Sequence, residues 1–218
     1  MPSVVSVLNQ KGGSGKTTIS TNLARGLQLE GLEVLLADAD PQQTASEWGN
    51  LREEDSDLPP VVGVSGSTIE NDLRDVGAAY DVVVVDGAPA LDSLNVKALK
   101  ASDVVLIPIR PSGPDVWAGE ELVELIHTRR EVTEGKPSAA FVVSQQVART
   151  NLASEIGEVL EEYDLPVLEG RTGQRVAYAE ALSIGTTVLD MSGAPKAESE
   201  IRAITTDVLN LLKASISQ

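Results

Sequence analysis

A chain of 218 residues with 42% apolar content is long enough to bury a sizeable core and is expected to form a single domain over residues 1–218. It has no cysteine, which excludes disulfides and cysteine-ligated clusters, and neither a signal peptide nor an apolar run of bilayer length, so a cytoplasmic protein is expected. Thirty-three acids against 17 bases give a formal net charge of −16, which excludes any broad attraction to nucleic acid or to an anionic membrane and leaves only clustered bases for such contacts.

The first apolar run, Val4 to Leu8, predicts a strand, and Thr17 to Glu30 reads as a helix. Between them lies Lys11-Gly12-Gly13-Ser14-Gly15-Lys16-Thr17-Thr18. Strand, glycines, Gly-Lys-Thr and helix in that order define a phosphate-binding loop. Its glycines let successive backbone N–H groups turn inward toward phosphate oxygens, and the helix adds its positive N-terminal end at the same spot. Lys16 suits the β- and γ-phosphates, and the Thr17 hydroxyl suits Mg²⁺, so a nucleoside triphosphate is the expected ligand.

A second strand, near 33–38, ends in Asp38-Ala39-Asp40-Pro41-Gln42-Gln43. Two carboxylates thus emerge at a strand's C-terminal end, where open α/β sheets hold their ligands. An acidic, proline-bearing stretch, Leu51 to Pro60, reads as loop. Further strands are expected near 61–64, 81–86, 103–108, 139–144 and 165–168, with helices over Ser67 to Ala78, Asp115 to Glu134 and Asn151 to Tyr163, the last N-capped by Asn151. The valines at 82 to 85, ending in Asp86, read as a buried parallel strand whose terminal carboxylate faces the ligand. Lys196 to Ile216, apolar at Ile201, Ile204, Val208, Leu211 and Leu212, suits one helix packed on the sheet. Alternating strands and helices predict an α/β fold: a mostly parallel twisted sheet of seven or eight strands with helices on both faces.

The loop departs from the general phosphate-binding pattern. Gln10 stands where the leading glycine belongs, and a second lysine, Lys11, follows it. The string K-G-G-x-G-K-T-T resembles the deviant Walker A loop of the ParA/MinD family of partition and positioning ATPases, and the resemblance runs over nearly the whole chain. It implies a P-loop NTPase fold and a Mg²⁺-dependent ATPase that holds ATP with Lys11, Gly12, Gly13, Ser14, Gly15, Lys16, Thr17 and Thr18. In that family the early lysine, here Lys11, reaches across a nucleotide-sandwich dimer to the partner's phosphates. The segment Asp38 to Gln42 resembles the D-x-D-P-Q switch, which implies that Asp40 orients the attacking water while Asp38 holds the metal's hydration shell. Val82 to Asp86 resembles a Walker B strand, with Asp86 binding Mg²⁺ through water. Pro108 to Asp115 resembles a P-x-x-P-S-x-x-D segment beside the nucleotide and the dimer interface, which adds Pro108 to the cofactor positions. Gly170 to Val188, with Arg175, Ala181 and Gly185, resembles a late segment in which an arginine precedes a short helix.

The implied function is ATP-dependent homodimerisation that drives plasmid or chromosome partitioning, with hydrolysis stimulated by a ParB-like or other centromere-binding protein. The short form is expected, because no helix-turn-helix domain fits before the loop. Non-specific DNA binding, and with it nucleoid association, falls to Arg129, Arg130, Arg149, Arg171, Arg175 and Arg202, of which Arg171 and Arg175 are the foremost candidates. The acid excess has two readings, a salt-rich cytoplasm or a docking face for a basic partner. His127 lies remote from every motif, and Trp48 and Trp117 read as packing or interface residues. One alternative is a MinD-like membrane-positioning ATPase, which needs a basic amphipathic tail; Leu209 to Gln218 has one cation, and no membrane contact is expected. Another is a metabolic P-loop ligase, which needs a second-substrate motif that the sequence lacks.

Overall fold

Strands β1 (Ser3–Val7), β2 (Val34–Asp38), β3 (Val61–Gly63), β4 (Val82–Asp86), β5 (Val104–Ile109) and β6 (Ser138–Val143) form one parallel sheet in the order β3-β2-β4-β1-β5-β6. The computed structural model describes residues 1–53, 55–64, 69–90, 93–147, 159–160 and 162–216. The sheet therefore has six strands rather than the seven or eight expected. Residues 165–168 add only a single parallel bridge, Val167 to Phe141, because Pro166 has no N–H with which to extend a ladder.

Alternate residues of each strand face opposite sides, and both sides are covered. One side packs Val5, Val7, Leu36 and Val84 against helix α1 (Lys16–Leu29) and the long C-terminal helix. The other packs Val4, Leu35, Val83 and Val85 against Ile69, Leu73, Leu99 and Ile126. These come from α3 (Ile69–Val76), α4 (Ser93–Ala101) and α6 (Glu120–Glu131). Helix α2 (Thr44–Asn50) follows the D-x-D segment, and α7 (Val176–Ser183) is the short helix expected after Arg175. In the last helix, α8 (Pro195–Ile216), Ile201, Ile204 and Val208 are fully buried, each stabilising by about 1.5–3 kcal/mol relative to exposure. The crossing of α1 and α8 is close at Gly26, where a Cβ would lie 2.2 Å from the Thr205 hydroxyl.

The single helix expected over Asp115 to Glu134 is two: α5 (Gly113–Trp117) and α6, with Gly119 between them. A side chain on Gly119 would meet Ile109 and the Val116 carbonyl, each at 3.3 Å, so glycine permits the close approach and also weakens the helix there. The helix expected over Asn151 to Tyr163, its cap Asn151, the start of the helix expected at Ser67, and Arg149 lie wholly or largely outside the described residues.

Candidate functional site

The loop of residues 11–18 leaves the C-terminal end of β1, flanked by β4 and β5, and enters α1 at Lys16. Gly13 and Gly15 have φ of 70° and 95°, a left-handed backbone that side chains oppose and that turns the amides inward. Two side chains from beyond β6 hold the loop from outside: Ser144 Oγ donates to the Ser14 carbonyl at 2.6 Å, and Gln145 Nε2 to the Gly13 carbonyl at 2.7 Å. On its other flank, Asn9 Nδ2 donates to the Pro108 carbonyl at 2.6 Å and Asn9 Oδ1 accepts from the Lys11 N–H at 2.9 Å. Lys16 curls back so that its Nζ donates to the Lys11 carbonyl at 3.1 Å. Burial lowers the Lys16 pKa, opposed by the charges of Asp86 and Asp40.

Asp38 and Asp86 end neighbouring strands and are register partners. Asp86 is fully buried and accepts hydrogen bonds from Thr17 Oγ1 at 2.7 Å and Ser20 Oγ at 2.9 Å. Burial pushes its carboxyl up to about 7; the two hydroxyl donors and Lys16 oppose the rise, and Asp38 adds to it. Asp38 instead caps α2, accepting from the Ser46 N–H at 2.8 Å and the Ser46 hydroxyl at 2.7 Å, and it also takes the Asp40 N–H at 3.1 Å. Asp40 is half-buried and accepts the Gln42 N–H at 2.9 Å. With Thr17, Thr18, Gln42, Gln145 and others it lines a cavity of about 360 Å³ over the loop.

The cradle fits a phosphate chain with a divalent ion. A Cβ on Gly13 would meet no atom within 4 Å, so open space lies beside the loop there, and the buried Ser14 hydroxyl has no hydrogen-bond partner among the described residues. Among those residues no three His, Cys, Asp or Glu side chains gather. A hard cation here would therefore take Thr17, water and phosphate oxygens, as Mg²⁺ commonly does.

Lys11 behaves differently from Lys16. Its Nζ lies 3.0 Å from Asp115 Oδ2, and the other oxygen of Asp115 takes Arg110 Nε at 3.0 Å. Burial alone would raise the Asp115 pKa, but hydrogen bonds from Ser112, Lys11 and Arg110 hold it below the usual carboxylate value. Gln10 Nε2 also donates to Glu121 Oε2 at 3.0 Å, so the start of the loop is tied to the corner between α5 and α6.

The structure thus brings Lys16, Thr17, Asp38, Asp40 and Asp86 together around the loop, with Lys11 at its edge. Pro108 is buried in β5 with its carbonyl accepting from Asn9 Nδ2 beside the loop, and it does not itself line the cavity. Arg175 is engaged within the fold: its guanidinium pairs with Glu200, which also accepts from Tyr178 and the Gly173 N–H. Arg202 pairs with Glu198, whereas Arg171 is exposed. His127 is half-buried and contacts the Tyr163 carbonyl, far from the loop. Trp48 is 1% exposed, donates to the Thr186 carbonyl and carries Arg52 over its ring; Trp117 is 67% exposed. Sequence reasoning missed Ser20, Ser46 and Asn9 as supports. Of these only Ser20, three residues after Thr17 on one helix face, carries a legible signal.

Fold and site together define a P-loop nucleotide-binding protein. The model of the CobQ/CobB/MinD/ParA nucleotide binding domain matches residues 5–188, and the chain belongs to that ParA/MinD family. It is 34% identical to maintenance of carboxysome distribution protein A of Halothiobacillus neapolitanus, over 94% of this chain and 95% of that one. It is 30% identical to the chromosome-partitioning ATPase Soj of Thermus thermophilus, over 84% and 86% of the two chains. Among solved structures, a McdA–ATP complex from Cyanothece superposes with a TM-score of 0.78 at 16% identity, covering 96% of both chains. Cobyrinic acid a,c-diamide synthase from Mycobacterium smegmatis, with an ATP analogue and magnesium, gives 0.78 at 19% identity, covering 98% of this chain and 96% of that one.

Proposed function

We propose that the chain is an ATP-timed positioning ATPase, which hydrolyses ATP to ADP and phosphate with Mg²⁺, pairs face to face with a second copy over two nucleotides, and uses that cycle to distribute a cargo. The observation that carries this reading is the divergence of the two loop lysines. Lys16 turns into its own cradle, 3.1 Å from the Lys11 carbonyl, while Lys11 stands outside on Asp115, where it can serve a facing copy.

In this reading the amides of Gly12, Gly13, Ser14, Gly15 and Thr18 hold the triphosphate, and Lys16 neutralises the β- and γ-oxygens. Thr17 would hold the metal directly and Asp86 through water, with Asp38 beside its hydration shell; when bound, the ion would supply further charge neutralisation where negative charge develops. Asp40, on the wall of the cavity, orients the attacking water, and proximity does most of the work because phosphoryl transfer asks little covalent help. Lys11 exchanges Asp115 for the facing copy's phosphates, so loss of the γ-phosphate loosens the pair.

The favoured cargo is a protein assembly, the class named in the 34% identical relative. DNA partitioning, the class named in Soj, is the second reading and keeps nucleoid association with it. A net charge of −16 and the pairing of Arg175 and Arg202 with glutamates weigh against phosphate neutralisation. A basic stimulating partner, ParB-like or a cargo adaptor, suits the acidic surface. A membrane visit has little support: the apolar stripe of α8 packs into the core, and no described helix is long and apolar enough to cross a bilayer.

The test is phosphate release by purified protein with Mg²⁺-ATP, alone and with duplex DNA. Release without any small-molecule acceptor is expected. An absolute requirement for a carboxylic acid acceptor would overturn the reading in favour of a ligase, and strong stimulation by DNA at physiological salt would promote the second cargo.

A further inference from the structure

The corner between α5 and α6 grips the start of the loop at two points, Asp115 on Lys11 and Glu121 on Gln10. Trp117 lies in this corner, between those two acids in sequence. Its ring leans back over the first turn of α5, so that a Cβ on Gly113 would lie 3.8 Å from Trp117 Cζ2. The residue is 67% exposed, whereas Trp48, the other tryptophan of the chain, is 1% exposed. An indole can bury roughly 150–250 Å² and is costly to leave in water. Nothing in the mechanism above uses it.

We propose that Trp117 is the aromatic anchor of the self-interface, buried by a second copy of this chain when ATP brings the two together. The inference rests on the paired reading given under Proposed function. If Lys11 serves the facing copy, the helix that holds Lys11 must face that copy too, and the indole two residues beyond Asp115 goes with it. A two-fold pairing repeats the contact on both subunits, so one exposed tryptophan supplies two anchors. Aromatic residues of this kind commonly dominate an interface's affinity. The occupant is a second copy rather than a stimulating partner because the same corner carries the lysine whose target is the copy's triphosphate.

The test uses the full chain carrying Asp40→Ala to slow turnover, with acrylamide quenching of tryptophan emission read beside light scattering. Trp48 is 1% exposed, and the same titration on Trp117→Phe, which leaves Trp48 alone, measures whatever Trp48 contributes to the quenchable emission. With Mg²⁺-ADP the indole should be open to quencher. With Mg²⁺-ATP at concentrations where scattering reports pairs, quenching should drop severalfold, and dilution below the pairing range should restore it. Trp117→Ala should weaken pairing about thirtyfold while leaving the nucleotide affinity of dilute, unpaired protein unchanged; Trp117→Phe should recover part of the loss. Pairs that form normally with Trp117 still open, or with Trp117→Ala pairing as well as the parent, overturn the inference and leave the paired reading standing. Absence of pairs in the parent under Mg²⁺-ATP overturns both.

Discussion

The inner and outer halves of the site are built differently. Inside, Asp86 is fully buried under two hydroxyl donors, and Lys16 is folded into the loop, so the proposed seat is held by contacts within the fold. Outside, Asp40 is half-buried on a turn ahead of a seven-residue helix, and Lys11 is held by a different element altogether. The contrast teaches that the proposed seat is fixed by contacts buried within the fold, whereas the proposed rim rests on a half-buried turn and on a helix that is distant in sequence.

Substitutions at the rim and at the seat should therefore fail in different ways. The largest effect should be that of Asp40→Ala, which lowers phosphate release about 100- to 10,000-fold while nucleotide affinity by calorimetry stays within about twofold. Undiminished release would remove Asp40 from the chemistry and erase the contrast.

At the seat, Asp86 is raised to about 7 from an ordinary 3.8. A carboxyl raised on folding binds more protons folded than unfolded, so its favourable contribution is complete below about pH 4 and is lost as pH rises toward 7. Asp86→Asn should remove that loss. In nucleotide-free protein the variant's stability advantage should grow between pH 4 and 7 by on the order of 4 kcal/mol, followed by denaturant titration at each pH. A pH-independent difference would mean that the carboxylate is already accommodated without a metal. Lys16→Ala should weaken ATP binding about 100-fold, the value of one charge-assisted phosphate contact, with the fold retained by circular dichroism. Retained affinity would show that the amides alone hold the nucleotide.

The smallest effect sharpens where the rim begins. Ser46→Ala removes one of the three donors to Asp38 and should cost about 1 kcal/mol, a fall of roughly 2–4 °C in Tm. If turnover falls much further than stability, Asp38 acts through the position of α2 as well as through the metal.

Much of the seat was legible in the sequence because its signals are local. β-Branched residues mark β1 and β4, an apolar run marks β2, and the glycines of the loop sit beside the strand and helix they join. The rim is less legible: Lys11 and Asp115 lie on segments distant in sequence, and Asp38 and Ser46, although near one another in the chain, carry no pattern that marks them as partners. Helix α2 carries no usual starting signal, because its N-cap, Gln43, is left-handed and offers no side-chain hydrogen bond. The strand count was overestimated because the valine and leucines around Pro166 read as a strand, while the proline stops the ladder after a single bridge.

The central claim is that the lysine outside its own cradle works on a second copy. Its most direct test is phosphate release per subunit as a function of protein concentration, for the parent chain and for Lys11→Ala. The account predicts a rate that climbs with concentration and saturates in the parent, and a low, flat rate in the variant. A parent rate independent of concentration, matched by Lys11→Ala, would contradict it.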